Sequence, residues 1–200
     1  MIVYVESNFL VEIARQQEQA TSAEALLGLA EGGGLTMRWP AFCLAESLGA
    51  LMRLGNARKA VQSEIVRQAK DLGRSDAHAS LAGKLREVSG DLAAVDALES
   101  ARLDSVVRRL MVLGSPVPLE PRIYDGALDY RTKYGLSTQD AVVYASVIAD
   151  LGRQDRSGRK LFVSRNSNDF ETEDLTAELA ALGCAYVASF DMALRAARAD

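Results

Sequence analysis

A single histidine, His78, removes most of the chemistry that imidazole carries. It stands in a polar, alanine-rich stretch away from any motif, so neither a zinc site nor a histidine-based triad is expected. The two cysteines, Cys43 and Cys184, are 141 positions apart (184 − 43) in apolar surroundings. They read as buried free thiols in a reducing cytoplasm, not as a disulfide or a ligand pair. No apolar run approaches the ~18 residues of a membrane span, so no membrane partner is expected. The opening residues, Met1-Ile2-Val3-Tyr4-Val5-Glu6, show no basic lead before a long apolar core, and no secretory leader is expected. A phosphate-cradling glycine-rich loop with its lysine is also missing, which disfavours a phosphotransfer domain. What remains, 200 residues at 48% hydrophobic and 25% charged, suits one soluble, cytoplasmic domain with a sizeable core.

The net charge of −4 is spread unevenly. Residues 1–50 hold 2 basic and 6 acidic groups, and 114–200 hold 10 and 13. Residues 51–113 hold 11 basic and 8 acidic groups, a local +3. Arg53, Arg58, Lys59, Arg67, Lys70 and Arg74 face only Glu64 and Asp71 within that region. Such a run fits either a solvated helix face or a patch for the backbone of a nucleic acid.

Both ends of the chain alternate strand and helix. Ile2–Val5 reads as a buried strand, followed by a helix over about 8–17 and another from a cap at Thr21 or Ser22 to Glu31. Gly32-Gly33-Gly34 ends it, and 35–39 reads as the second strand. Pro40 suits a helix start, and 41–54 is nearly all apolar. Between 55 and 113 the pattern is helical: Val61, Ile65, Ala69 and Leu72 share one face, and Leu81, Leu85, Val88, Leu92 and Val95 another, with a break expected at Ser89-Gly90. Pro116, Pro118 and Pro121 force an extended passage with a short strand at 117–119. A helix over 122–133, an apolar helix over 140–151 capped by Ser137, a strand over 160–164, a helix opened near Asp169 and reaching 182, a strand over 183–187 and a closing helix follow. The rhythm predicts a three-layer α/β/α fold with a central, mostly parallel sheet. One domain is expected, its core at about 1–54 and 114–200, with a helical insertion at about 55–113.

Four acids stand beside apolar runs at widely separated points: Glu6, Glu46, Asp140 and Asp169. Residues just past the carboxyl ends of parallel strands converge on one crevice. Carboxylates gathered there raise one another's pKa unless a cation neutralises them. A hard divalent ion, Mg²⁺ or Mn²⁺, is the simplest occupant. Each acid also has an ordinary reading. Glu6 and Asp140 would be stabilised by a helix dipole, and Asp169 would serve as an N-cap. Glu46, on an otherwise apolar helix face, needs a cation or a salt bridge to Arg38 or Arg53. The ordinary readings do not account for the acids occurring together.

The stretches Val-Tyr-Val-Glu-Ser-Asn (3–8), Leu-Ala-Glu-Ser (44–47), Leu-Ser-Thr-Gln-Asp-Ala (136–141) and Phe-Val-Ser-Arg-Asn-Ser-Asn-Asp-Phe (162–170) together resemble the PIN domain of metal-dependent nucleases. The resemblance covers about 1–54 and 114–190, and its third and fourth motifs are the most specific. It implies that Glu6, Glu46, Asp140 and Asp169 are catalytic metal ligands, with Asn166 as a neutral ligand. It places Ser7 and Ser164 on hydroxyl positions that contact ligands or phosphate, and Arg165 beside them. The implied activity is Mg²⁺- or Mn²⁺-dependent hydrolysis of single-stranded RNA, or DNA. Outside the resemblance, the basic run predicts that Arg67, Lys70 and Arg74 hold the nucleic-acid backbone. The alternative is a non-catalytic nucleic-acid or protein-binding module with an impaired site. A homodimer and an antitoxin-like protein are further partner expectations, neither fixed by these motifs. Two features depart from the pattern: Glu6 stands where the family usually has Asp, and the compact toxin members lack the insertion.

Overall fold

The computed structural model describes residues 1–199. Among these, five strands form one all-parallel sheet in the order β3-β2-β1-β4-β5. They are β1 (Ile2–Val5), β2 (Thr36–Pro40), β3 (Gly114–Val117), β4 (Lys160–Val163) and β5 (Cys184–Val187). A strand buried on both faces alternates its side chains between two cores. Val3 and Val5 of β1 enter one core, with Leu161 and Val163 of β4. Tyr4 and Phe162 enter the other. The first core is closed by α1 (Ser7–Arg15), α2 (Ala20–Glu31), the end of α4 (Ala79–Leu113) and α9 (Phe190–Arg198). The second is closed by α5 (Pro121–Tyr134), α6 (Thr138–Leu151) and α8 (Glu173–Ala181). This is the expected three-layer α/β/α fold. No described helix is long and apolar enough to cross a membrane.

The centre of the chain is more continuous than its sequence suggests. The apolar helix expected at 41–54 runs on without interruption as α3 (Phe42–Leu72), so the central helical region grows out of a core helix. After a 3-10 turn at Asp76–His78, α4 returns as one helix of 35 residues. The expected break at Ser89-Gly90 does not occur. A helical glycine costs ~1 kcal/mol, but Ser89 is buried and its carbonyl accepts from Gln62 Nε2 at 2.9 Å, which holds the backbone in place. Arg58 of α3 ties the pair together near its base, with 2.6 Å to Asp96 and 2.7 Å to Glu99 of α4. The hairpin therefore projects as two antiparallel helices from one side of the sheet.

Smaller shifts have local causes. Pro40 ends β2 rather than opening a helix, because it still pairs with Val117 in the parallel ladder. The third strand falls at Gly114–Val117, before most of the prolines, since Pro118 and Pro121 cannot extend the ladder. The helix expected from Asp169 is split. A single turn, α7 (Ser167–Phe170), precedes α8, whose cap is Thr172.

Candidate functional site

The strand order reverses direction between β1 and β4. From β1 the chain steps outward through β2 and β3, then crosses to β4 and β5 on the other side. In parallel sheets the crevice outside the carboxyl ends at such a switch point is where ligands bind. Glu6 follows β1 directly and Ser164 follows β4 directly, so these two flank the switch point.

Glu6 also caps α1, its backbone extended and its carboxylate accepting from Asn8 N at 2.8 Å. Ser7 Oγ donates to Glu6 Oε2 at 2.8 Å, and Ser164 Oγ donates to Oε1 at 3.1 Å. The side chain is only 5% exposed. Burial pushes its carboxyl up to about 7, the three hydrogen bonds pull it partly back, and the charge of Glu46 raises it further. Ser7 and Ser164 were expected to touch ligand or phosphate. Both are buried and spend their hydroxyls on Glu6.

From Ser164 the network continues to the other acids. Asn166 N donates to Ser164 Oγ at 3.0 Å. Asn166 Nδ2 donates to Asp140 Oδ1 at 3.0 Å and to Asp169 Oδ2 at 2.6 Å. One amide thus sits between two carboxylates and offsets part of their repulsion. Asp140 is fixed independently, since Ser137, the cap of α6, accepts from Asp140 N at 3.1 Å and donates its hydroxyl to the carboxylate. Asp169 lies within α7 and is not an N-cap. That turn is anchored by Phe170, packed edge-on against Phe162 and stacked on Tyr144.

Glu46 joins the group from α3. Its carboxyl is raised by burial and by the charge of Asp140, against the hydroxyl of Ser7 and the cation Arg53. Its Oε2 is buried and accepts no hydrogen bond. Arg38, one of the two cations expected to pair with it, is committed to Asp150 at 2.7 Å, where Tyr4 also donates at 2.6 Å. Cys43, which no sequence signal marked as part of this region, is buried close enough for Glu6 and Glu46 to raise its thiol further.

The arginine and lysine positions divide. Arg165, expected to reach phosphate, turns instead to α1 and pairs with Glu12 and Glu18. Glu12 is buried, and an unmatched buried carboxylate would be costly, so this pairing takes precedence. Arg67 pairs with Glu64 at 2.6 Å on an exposed surface. With Lys70 and Arg74 it lines a small polar pocket near the far end of the hairpin. Counting 21 residues from Glu46 to Arg67 at 1.5 Å each puts this cluster ~32 Å or more from the acids.

The donor chemistry suits a hard divalent ion: oxygen ligands, a buried unpartnered carboxylate oxygen, and a carboxyl that burial raises to about 7. The spacing is looser than the chemistry. Among the described residues, no three acid, cysteine or histidine side chains already form a group close enough to hold a metal ion. Asn166 presents its NH₂ to both acids, so serving as an oxygen ligand requires the amide to turn over. Comparison with protein-family models, with curated proteins and with solved structures finds no match.

Proposed function

We propose that this chain is a metal-dependent nuclease that hydrolyses single-stranded RNA, with single-stranded DNA as a second substrate. The observation carrying this reading is the continuous hydrogen-bond path from Glu6 through Ser164 and Asn166 to Asp140 and Asp169 at the sheet's switch point. Glu6, Glu46, Asp140 and Asp169 would hold Mg²⁺ or Mn²⁺, with Asn166 as the neutral ligand. Such an ion polarises a water and neutralises charge gathering on the phosphate.

The chain's own residues act around it. Ser7 and Ser164 fix the Glu6 carboxylate between them, and Ser137 fixes Asp140 at the start of a buried helix. Because Glu6 keeps its proton up to about pH 7, proton and cation compete for the same oxygens. Activity at limiting metal should therefore rise with pH through 7 and flatten above it.

The test is cleavage of end-labelled single-stranded RNA and DNA with Mg²⁺, Mn²⁺ or chelator. Metal-dependent cleavage that disappears in Asp140→Asn is expected, since that change removes the charge while keeping the shape at the helix start. Cleavage in chelator, or full activity of Asp140→Asn at limiting metal, would remove these acids from the mechanism.

A specific observation favours a second reading. The longer Glu6 carboxylate is tied up by three donors and the acids are not gathered into a cage. A binding module with an impaired site would have those features. Calorimetric Mn²⁺ titration decides: under the nuclease reading Glu6→Gln loses ion affinity and activity together. Under the other reading the wild type binds weakly and Glu6→Asp improves it.

A further inference from the structure

The α3–α4 hairpin carries more apolar surface than its own pairing covers. Along α4, Leu81, Leu85, Val88, Leu92 and Val95 recur at alternating spacings of four and three, a heptad pattern. Leu85 and Leu92 are half-buried, while Leu81, Val88 and Val95, each seven residues apart, stay 49%, 47% and 39% exposed. Val61 of α3, 55% exposed, sits at their level, because Gln62 beside it bonds to the Ser89 carbonyl. Nearer the sheet, the core covers the hairpin: Arg15 at the end of α1 reaches Glu99, and Leu103, Val106 and Leu110 are buried. Beyond Glu99 the stripe from Val95 to Leu81 runs on for ~21 Å, 14 residues at 1.5 Å each.

We infer that a second copy of this chain covers the stripe, packed antiparallel along α4 about a two-fold axis at Val88. The stripe is its own complement in that arrangement: Val88 meets Val88, and Leu81 meets Val95 of the second copy. Its flanking charges agree. Lys84 lies four residues before Val88 and Asp91 three after, so the axis brings each Lys84 to within one residue of Asp91 in the other copy. Neither has an ion-pair partner among the described residues of its own chain. A parallel pairing would instead set like charges together, which costs binding. With two helices from each copy the contact is a four-helix bundle, the architecture such stripes build. Five exposed apolar side chains per copy, Leu98 being the fifth, place it near the small end of stable interfaces, ~1,200 Å² in total.

One consequence rests on the nuclease reading. Within a single chain the basic cluster at the hairpin tip is ~32 Å or more from the acids. In the dimer the tip, at Ala79, lies opposite Ala97 of the second copy. Arg58 bonds to Asp96 there, so Glu46 of that copy is ~12 residues, or ~18 Å, further along the axis. Each copy would then offer its basic tip to the acid site of the other.

Sedimentation velocity of the full chain from ~1 to ~100 µM tests the dimer without any activity measurement. A concentration-dependent dimer is expected. Val88→Asp, which sets two carboxylates face to face on the axis, should weaken it by about 100-fold or more. Circular dichroism should be unchanged, since the position is exposed, and Val88→Ser serves as a milder second variant. Lys84→Glu and Asp91→Lys should each weaken the dimer, and the double variant should regain it. Val88→Cys should cross-link to itself on oxidation, the native Cys43 and Cys184 being buried. A monomer at ~100 µM, a dimer indifferent to Val88→Asp, or a charge swap without recovery would each overturn the proposal.

Discussion

Glu6 shows how burial turns a strand-end carboxylate into a pH-sensitive group. Its carboxyl shifts from 4.5 to about 7, chiefly through desolvation. Below pH 4.5 it is protonated in the folded and unfolded chains alike, and burial then carries no ionic penalty. Between 4.5 and about 7 the unfolded chain releases the proton while the folded chain keeps it, so stability falls as pH rises. The loss is about 3 kcal/mol at most, since each pH unit between the two values is worth ~1.4 kcal/mol. Thermal melts of the metal-free protein from about pH 5 to 8 should therefore show a declining midpoint, and Glu6→Gln should flatten the decline. Mn²⁺ should raise the midpoint of the wild type more at about pH 8 than at about pH 5. Asn166 provides a complementary test. Asn166→Asp replaces the bridging NH₂ with a third carboxylate between Asp140 and Asp169. It should lower the melting midpoint without metal and regain it with Mn²⁺, whereas equal midpoints in both conditions would show that no ion reaches these acids.

At the scale of elements, the long hairpin re-enters the sheet through a close passage. Gly114 joins α4 to β3 where the chain passes close to β2. A Cβ there would lie 3.0 Å from the Met37 carbonyl, 3.1 Å from that of Leu110 and 3.2 Å from the Trp39 ring. Two of the three neighbours are backbone and cannot give way. Gly114→Ala should cost about 1–3 kcal/mol, the usual range for overpacking, read as a lower denaturation midpoint with unchanged slope. Gly90→Ala makes a useful contrast, because its Cβ would meet nothing within 4 Å. That exposed helical site should gain up to ~1 kcal/mol from the better helix former.

For the whole molecule, the distance between the acid site and the basic tip has consequences for substrate length. About ten stacked nucleotides at ~3.4 Å each span the ~32 Å between Glu46 and Arg67 within one chain. Replacing Arg67, Lys70 and Arg74 with Gln should weaken binding of a strand of roughly 25 nucleotides and lower its salt slope, by up to about one for each phosphate that is no longer neutralised. An oligomer of roughly 5 nucleotides should be unaffected under the single-chain geometry. Weakening that already appears at roughly 7 nucleotides, too short for the ~32 Å of one chain, would fit the ~18 Å separation of the antiparallel dimer, and unchanged binding at every length would leave these residues as a solvated helix face.

Period and spacing alone were enough to read the three layers, the parallel strands, the two cysteines as free thiols and the cap at Ser137, because each depends on local alternation or a contact within a few residues. That Glu6 and Asp169 follow neighbouring strands at one edge of the sheet was also legible in outline, since strand ends in a parallel sheet share that edge. What each side chain does there was decided by contacts across the chain. Ser164 lies 158 residues from Glu6 and hydrogen-bonds to it, and Arg165 is drawn away by Glu12, 153 residues earlier. The continuity of α4 was equally hidden, because the bond from Gln62 of the neighbouring helix to the Ser89 carbonyl comes from 27 residues away. Local sequence sets which residues can form helices, strands and caps. Only the folded chain sets which carboxylate oxygen finds a donor, and Glu46 Oε2, buried and unpartnered, is one for which it supplies none.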